Sequence, residues 1–133
     1  MNKMREILFK AKRIKNGEWV EGLLWKKKYN SNNIFISCFP DKDDNEETYV
    51  VDPNTICQYT GLTDKNGNKI WENDVVKDNV VFGTVVWDEK HVQFMIDDEF
   101  DGHQEYTDWW GEVEVIGNIF DNPELLKGGA SNE

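Results

Sequence analysis

The chain has 133 residues, and its 26 acidic and 15 basic side chains give a formal net charge of −11. Domains of about 100–200 residues are usual, so one compact domain is expected, and the aromatic content of 13% argues against wholesale disorder. The acidic balance disfavours binding to anionic membranes, and without an apolar run of about 20 residues or a signal-peptide core we expect a cytoplasmic protein with no membrane partner.

Apolar residues recur at every second position through the first half of the chain, and this spacing predicts β-strands. A strand with Ile7, Phe9 and Ala11 on one face leads to the pair Asn16-Gly17, which favours a two-residue turn between antiparallel strands. The return strand and the strands after it are predicted over 18–25, 33–39, 48–51 and 55–59. The charged stretch 40–47 is predicted to be a solvated loop.

The second half continues with turns and short strands. The segment 60–70 holds two glycines and a second Asn-Gly pair, so we predict a tightly turned connection there. Further strands are predicted over 75–77, 80–87, 91–97 and 113–120. Gly83 inside one of these strands indicates a bulge, as in small barrels. We therefore predict a mainly β fold of antiparallel hairpins that includes a small SH3-like barrel from Asp74 to Phe120.

A short helical turn is predicted near the end of the chain. Asn122 is a suitable N-cap, and Pro123 follows at the first helical position, where its missing N–H costs nothing. Leu125 and Leu126 would dock this turn onto a sheet. We predict a single domain over 1–127, with 1–60 and 70–126 as candidate sub-lobes, and a disordered tail over 128–133.

Charge is segregated along the sequence. Residues 1–28 carry nine basic and three acidic side chains, a net charge of +6, whereas residues 29–133 carry six and 23, a net charge of −17. The basic hairpin carries the candidate contact residues Lys10, Lys12, Arg13 and Lys15, with Trp19 and Trp25 interleaved. We expect this surface to contact another subunit or a host or phage protein. Nucleic-acid binding through the same residues stays an alternative that the acidic remainder of the chain opposes.

Two adjacent tryptophans form the second candidate contact site. Trp109 and Trp110 would point to opposite faces of a strand, because successive side chains alternate. One member of this pair is then in a second core or at an interface, and the solvent-facing member is the predicted contact residue.

One acidic segment resembles a cation site. It begins Asp97-Asp98-Glu99-Phe100-Asp101-Gly102 and reaches Asp108, which places carboxylates at positions 1, 3, 5 and 12 of a calcium-type loop, with glycine at 6. The preceding residues read as a strand where such a loop needs a helix, so an acidic hairpin turn in solvent competes with this interpretation. A metal-dependent enzyme or ion-binding protein using Asp97, Glu99, Asp101 and His103 stays an alternative.

Other chemistry finds little support in the sequence. Cys38 and Cys57 lie in alternating apolar strands, so both are predicted to be free thiols of the core. His91 and His103 are the only histidines, and no glycine-rich nucleotide motif occurs. We therefore predict a non-enzymatic protein without a cofactor. An acidic mimic of DNA that inhibits a host protein stays a further alternative.

Several spaced motifs carry a resemblance to a known family. They are REILFK at 5–10, GEWVEG at 17–22, QYTGLTDKNG at 58–67, IWENDVV at 70–76 and VIGNIFDNPELL at 115–126. Together they resemble the YopX family of small proteins carried by phages and prophages of Gram-positive bacteria. The resemblance implies a homo-oligomer, and it supplies no catalytic residue or cofactor. Asn73 stands where the family usually has glycine, and because asparagine tolerates the left-handed conformation we expect the turn there to be kept.

Overall fold

The structure, a computed structural model, describes residues 6–27, 32–38, 46–79, 81–99, 104–105, 110 and 112–126. Within these residues the chain forms eleven β-strands and one 3-10 turn, arranged in two antiparallel sheets. The predicted mainly β class is confirmed. The chain divides into two compact units, an amino-terminal unit, Met1–Tyr59, and a carboxy-terminal unit, Thr60–Glu133. None of the described residues forms a helix with the length and hydropathy of a membrane span.

The amino-terminal unit is an antiparallel sheet in the order β4-β3-β2-β1-β5. Its elements are β1 (Phe9–Lys12), β2 (Trp19–Lys26), β3 (Ile34–Cys38), β4 (Glu47–Val51), the 3-10 turn Pro53–Thr55 and the start of β5 (Cys57–Thr63). Alternate residues of these strands face inward, as their spacing predicted. The inward side chains are Ala11, Ile36 and Val51, fully buried, with Phe9, Val20, Leu24, Ile34, Tyr49 and Ile56 packed against them.

The carboxy-terminal unit contains a second sheet in the order β10-β9-β8-β7-β11. Its strands are β6 (Lys69–Trp71), which pairs with β5, then β7 (Asp74–Lys77), β8 (Phe82–Asp88), β9 (Gln93–Asp98), β10 (Gln104–Glu105) and β11 (Glu114–Asn118). A separate hydrophobic core holds Ile70, Val76, Val81, Val85, Ile96, Trp110 and Val113. Each unit thus has its own core.

The predicted SH3-like barrel from Asp74 to Phe120 is not closed among the described residues. The edge strands β10 and β11 lie at opposite ends of the sheet order, so no described pairing joins them. Gly83 also differs from the prediction, since it pairs in regular register with Val76 and Asp98. The irregularity lies instead in β11, where the register shifts between Val115 and Gly117. The segment 60–70 was predicted as a connection only, whereas it contains most of the β5–β6 hairpin.

The chain end follows the prediction in part. Residues 124–126 are helical, and Leu125 packs on β11 closely enough that a side chain at Gly117 would meet its Cδ1 atom at 2.9 Å. The Asn122 carbonyl accepts from the Leu125 N–H at 3.0 Å, which begins the turn, and its side-chain Oδ1 accepts from the Asn118 N–H at 3.2 Å. Asn122 therefore ties the turn back to β11. The predicted tail over 128–133 lies outside the described residues.

Two polar residues fix the turns of the carboxy-terminal unit. Asn73 has a φ of 75°, so the left-handed conformation expected at this position is confirmed.

Asp64 is buried, with 5% of its surface exposed. One carboxylate oxygen accepts from the N–H groups of Asn66 and Asn68, each at 2.9 Å. The other accepts from the Val115 N–H at 2.9 Å, so one side chain joins the β5–β6 hairpin to β11.

Val92 carries local strain at the end of the β8–β9 turn. It has a φ of 56° and its side chain is 70% exposed. A β-branched residue in the left-handed region costs about 1–2 kcal/mol, whereas asparagine adopts this conformation readily. We expect Val92→Asn to raise the free energy of unfolding by about 1 kcal/mol in a urea titration. A Val86→Asn control, outside the turn and at ordinary φ, should not stabilise the protein, and equal stabilisation by both would contradict the strain.

Candidate binding surface

The β1–β2 hairpin positions the four predicted cations. Lys10 pairs with Glu21, and Lys12 pairs with Trp19. The turn is closed by hydrogen bonds from the Gly17 N–H to the Arg13 carbonyl and from the Arg13 N–H to the Glu18 carbonyl, both at 2.8 Å. Gly17 has a φ of 74°, which an asparagine-glycine pair accommodates without steric cost. The predicted hairpin is therefore formed, but its loop contains the four residues 14–17 and is not the predicted two-residue turn, because Arg13 bonds to Glu18.

Two of the cations pack against a tryptophan. Lys10 and Lys12 lie on the same face of β1, because residues two apart in a strand share a face. Their Nζ atoms lie 4.6 and 5.4 Å from the centroid of the Trp19 ring, within the range of cation–π attraction. Both lysines are half-buried. The Trp19 ring is thus already engaged by two ammonium groups.

The other two cations lie at a different place. The Arg13 guanidinium stacks over the Tyr49 ring, with its central carbon 4.3 Å from the ring centroid. Lys15 is exposed in the turn. Arg13, Ile14 and Lys15 form one wall of a groove of about 330 Å³, and Thr48, Tyr49 and Val50 of β4 form the other. The sequence treated the four cations as one patch, whereas the structure separates them into two pairs.

An aromatic cluster on the outer face of the sheet was missed by the sequence reasoning. Trp25 and Phe35 are stacked, with ring centroids 4.6 Å apart, and Trp25 remains 39% exposed. Leu23, on the same face of β2, is 54% exposed. The signal was present, since Trp19, Glu21, Leu23 and Trp25 alternate along the strand, but alternation alone does not tell which face is solvated.

A chain of hydrogen bonds fixes the Trp25 ring. Its indole Nε1–H donates to the Ser37 hydroxyl at 2.8 Å, and the Ser37 and Thr48 hydroxyls share a bond of 2.8 Å. Thr48 in turn donates to a Glu46 carboxylate oxygen at 2.8 Å. Hydrogen bonds from Ser37 and then Thr48 hold the pKa of Glu46 below its usual value. The ring is therefore held in one orientation at the surface, which lowers the entropy lost when it contacts a partner.

The structure describes only one member of the predicted tryptophan pair, Trp109 and Trp110. Trp110 is 1% exposed and belongs to the core of the carboxy-terminal unit, so it is not the solvent-facing member. Trp109 lies outside the described residues. Trp87 is 43% exposed and packs edge-on against Phe94.

The acidic segment does not form the calcium-type loop within the described residues. Asp97 lies inside β9 and pairs with Gln104 of β10, so the first position of the pattern belongs to an antiparallel strand pair and not to a loop. Glu99 is exposed, and Asp101 and His103 lie outside the described residues. No group of three or more potential metal ligands occurs in the part of the chain that is described.

The two cysteines are free, as predicted, but only Cys57 lies in the core, whereas Cys38 at the end of β3 is partly exposed. Cys57 is buried and its thiol donates to the Thr55 carbonyl at 3.3 Å. Burial, followed by the nearby Glu47 carboxylate, raises the pKa of the Cys38 thiol. A thiol with a raised pKa is a poor nucleophile at neutral pH, because the thiolate is the reactive form.

Comparison with known proteins places this chain in a family. The family model described as YopX protein matches residues 8–127. A crystal structure of protein EF1440 from Enterococcus faecalis has the same fold, with a TM-score of 0.51 and 22% sequence identity over 92% of this chain and 99% of that one. No curated protein matches. The resemblance seen in the spaced motifs is thus confirmed, and the chain belongs to the YopX family.

Proposed function

We propose that this chain is a non-catalytic accessory protein of a phage or prophage, which acts in the host cytoplasm by self-associating and binding a macromolecule. The observation that supports this best is the division of charge between the two units. Met1–Tyr59 has 10 basic and 9 acidic side chains, a net charge of +1, whereas Thr60–Glu133 has 5 and 17, a net charge of −12. The positive charge of the first unit is concentrated in residues 1–28, with a net charge of +6, so the basic hairpin of one copy would attract the acidic second unit of the next.

The amino-terminal unit also offers the apolar contact area that a stable interface needs. Leu23 and Trp25 lie on the outer face of its sheet, with the lysines around Trp19 beside them. An exposed, orientationally fixed aromatic residue with a polar rim is the usual form of an interaction hot spot. Charge attraction would set the orientation of the copies, and this apolar area would hold them together.

Light scattering after size exclusion tests the self-association. We expect a mass above the 15.6 kDa monomer at about 0.15 M salt and a smaller mass at about 1 M, because screening then shortens to about 3 Å. The double substitution Lys10→Glu and Lys12→Glu should weaken the assembly, whereas Lys65→Glu, an exposed lysine of the acidic unit, should not. A monomer at every salt concentration would disprove self-association and leave the basic hairpin free for other partners.

A further inference from the structure

The open edge of β4 is a place where another polypeptide strand can add. β4 is the terminal strand of its sheet, and one end of it is covered by the segment that follows β1. Arg13 forms a bridge with Val51, and the Ile14 N–H donates to the Val50 carbonyl at 3.1 Å. This pairing stops at Ile14, because the chain then turns through Gly17.

The rest of the β4 edge has no neighbouring strand among the described residues. The Val50 carbonyl points to this edge, because it accepts the hydrogen bond from the Ile14 N–H. Backbone groups alternate sides along a strand, so Thr48, two residues earlier, presents its N–H and carbonyl to the same edge. Unpaired groups of this kind are a template for an added strand. The groove of about 330 Å³ between Thr48 and Lys15 lies along this edge.

The charges of the groove select the partner. Within the described part of the chain, neither Arg13 nor Lys15 has a carboxylate within ion-pairing distance. Ile14, between them, leaves 60% of its surface exposed. Glu46 and Glu47, at the start of β4, stay negatively charged and are held by the Thr48 and Tyr49 hydroxyls. An incoming strand would therefore direct its acidic side chains to Arg13 and Lys15, on the opposite wall of the groove.

We propose that this groove binds an extended acidic segment of a partner protein, which adds to the β4 edge as a strand. Main-chain hydrogen bonds to the N–H and carbonyl of Thr48 would provide the pairing beyond the part that Ile14 covers, and Arg13 and Lys15 would bind carboxylates of the segment. This inference rests on the proposed macromolecule binding and names its surface and partner class. It does not depend on self-association.

Fluorescence anisotropy with short labelled peptides tests the proposal. The probe alternates valine and glutamate, one control replaces glutamate with lysine, and a second control keeps the acidic sequence but carries N-methylated valines. We expect the acidic probe to bind and both controls to fail, because the first has the wrong charge and the second cannot pair as a strand. The double substitution Arg13→Gln and Lys15→Gln should weaken binding by at least about tenfold. The matched pair Lys65→Gln and Lys90→Gln, exposed lysines of the other unit, should leave it unchanged.

Several results would overturn the proposal. Absence of binding to the acidic probe, or equal binding of the N-methylated peptide, would exclude strand addition. Binding of oligothymidylate in place of the peptide would make the groove a phosphate surface. A dimer lost in the Arg13 and Lys15 variant, without peptide binding, would make a second copy the occupant. A monomer that binds the peptide would retain this inference and disprove only the self-association.

Discussion

Replacing Gly22 with alanine is expected to destabilise the amino-terminal unit by about 3 kcal/mol or more. Gly22 lies in the middle of β2, where an added Cβ would stand 2.1 Å from the Ser37 carbonyl oxygen and 2.8 Å from its carbon. Both atoms belong to the backbone of β3, so no side-chain rotation relieves the clash. The strands would have to separate where Leu23 pairs with Ser37. Hydrogen exchange read by mass spectrometry should show faster exchange in peptides from this unit.

Gly17 provides the matched control for Gly22. A Cβ at Gly17 would meet nothing within 4 Å, but the residue has a φ of 74°. Its replacement by alanine should therefore cost only about 1 kcal/mol, and asparagine should cost less, because it adopts the left-handed region more readily. Gly22 should reject asparagine as strongly as alanine. If Gly22→Ala were no more harmful than Gly17→Ala, the close approach of β2 to β3 would be wrong.

Removing the Asp64 carboxylate is expected to have the second large effect. Asp64→Ala should lower the free energy of unfolding of the carboxy-terminal unit by about 2–3 kcal/mol, because three partly buried hydrogen bonds lose their charged acceptor. Asp64→Asn is the sharper test. It keeps the oxygen that accepts from Asn66 and Asn68 but places an amide NH₂ against the Val115 N–H. We expect an intermediate loss in urea titrations, accompanied by faster exchange at Val115.

The same carboxylate should make stability depend on pH. Burial alone raises the pKa of Asp64, but hydrogen bonds from the backbone of Val115, Asn68 and Asn66 outweigh it and hold the pKa below its usual value. The stabilisation is therefore complete above the unfolded pKa of about 3.9 and is lost as the pH falls through the lower folded value. The stability difference between the native chain and Asp64→Asn should shrink on acidification. A difference that stays constant down to about pH 2 would contradict this assignment.

Local patterns in the sequence were sufficient for most strands and turns. The β1–β2 hairpin was predicted from the Asn16-Gly17 pair, although its loop has four residues in place of two. The left-handed Asn73 was expected because the resembling family usually has glycine there. The segment 60–70 was harder to interpret. Its glycines favour turns, and Gly61 keeps a φ of 90°, which glycine adopts readily, although it lies within β5.

The sequence analysis named the four cations of the candidate surface but did not predict how they are arranged. One short segment carries four cations, which from the sequence form a single basic patch: Lys10, Lys12, Arg13 and Lys15. In the structure Lys10 and Lys12 lie against Trp19, whereas Arg13 lies over Tyr49 of β4. The difference arises because Arg13 reaches across to a strand nearly forty residues later, and no local pattern specifies that contact.

By itself, the sequence determined the β-rich class, the free cysteines, the segregation of charge and, through its spaced motifs, membership of the YopX family. Only the tertiary structure decided that Trp110 is buried while Trp87 is exposed, that Gly22 touches the backbone of β3, and that Asp64 joins a hairpin to β11. The physical reason is the distance along the sequence between the residues that decide each feature. Turn conformation and strand alternation depend on neighbouring residues, whereas burial, strand pairing and an open edge depend on which distant segments meet.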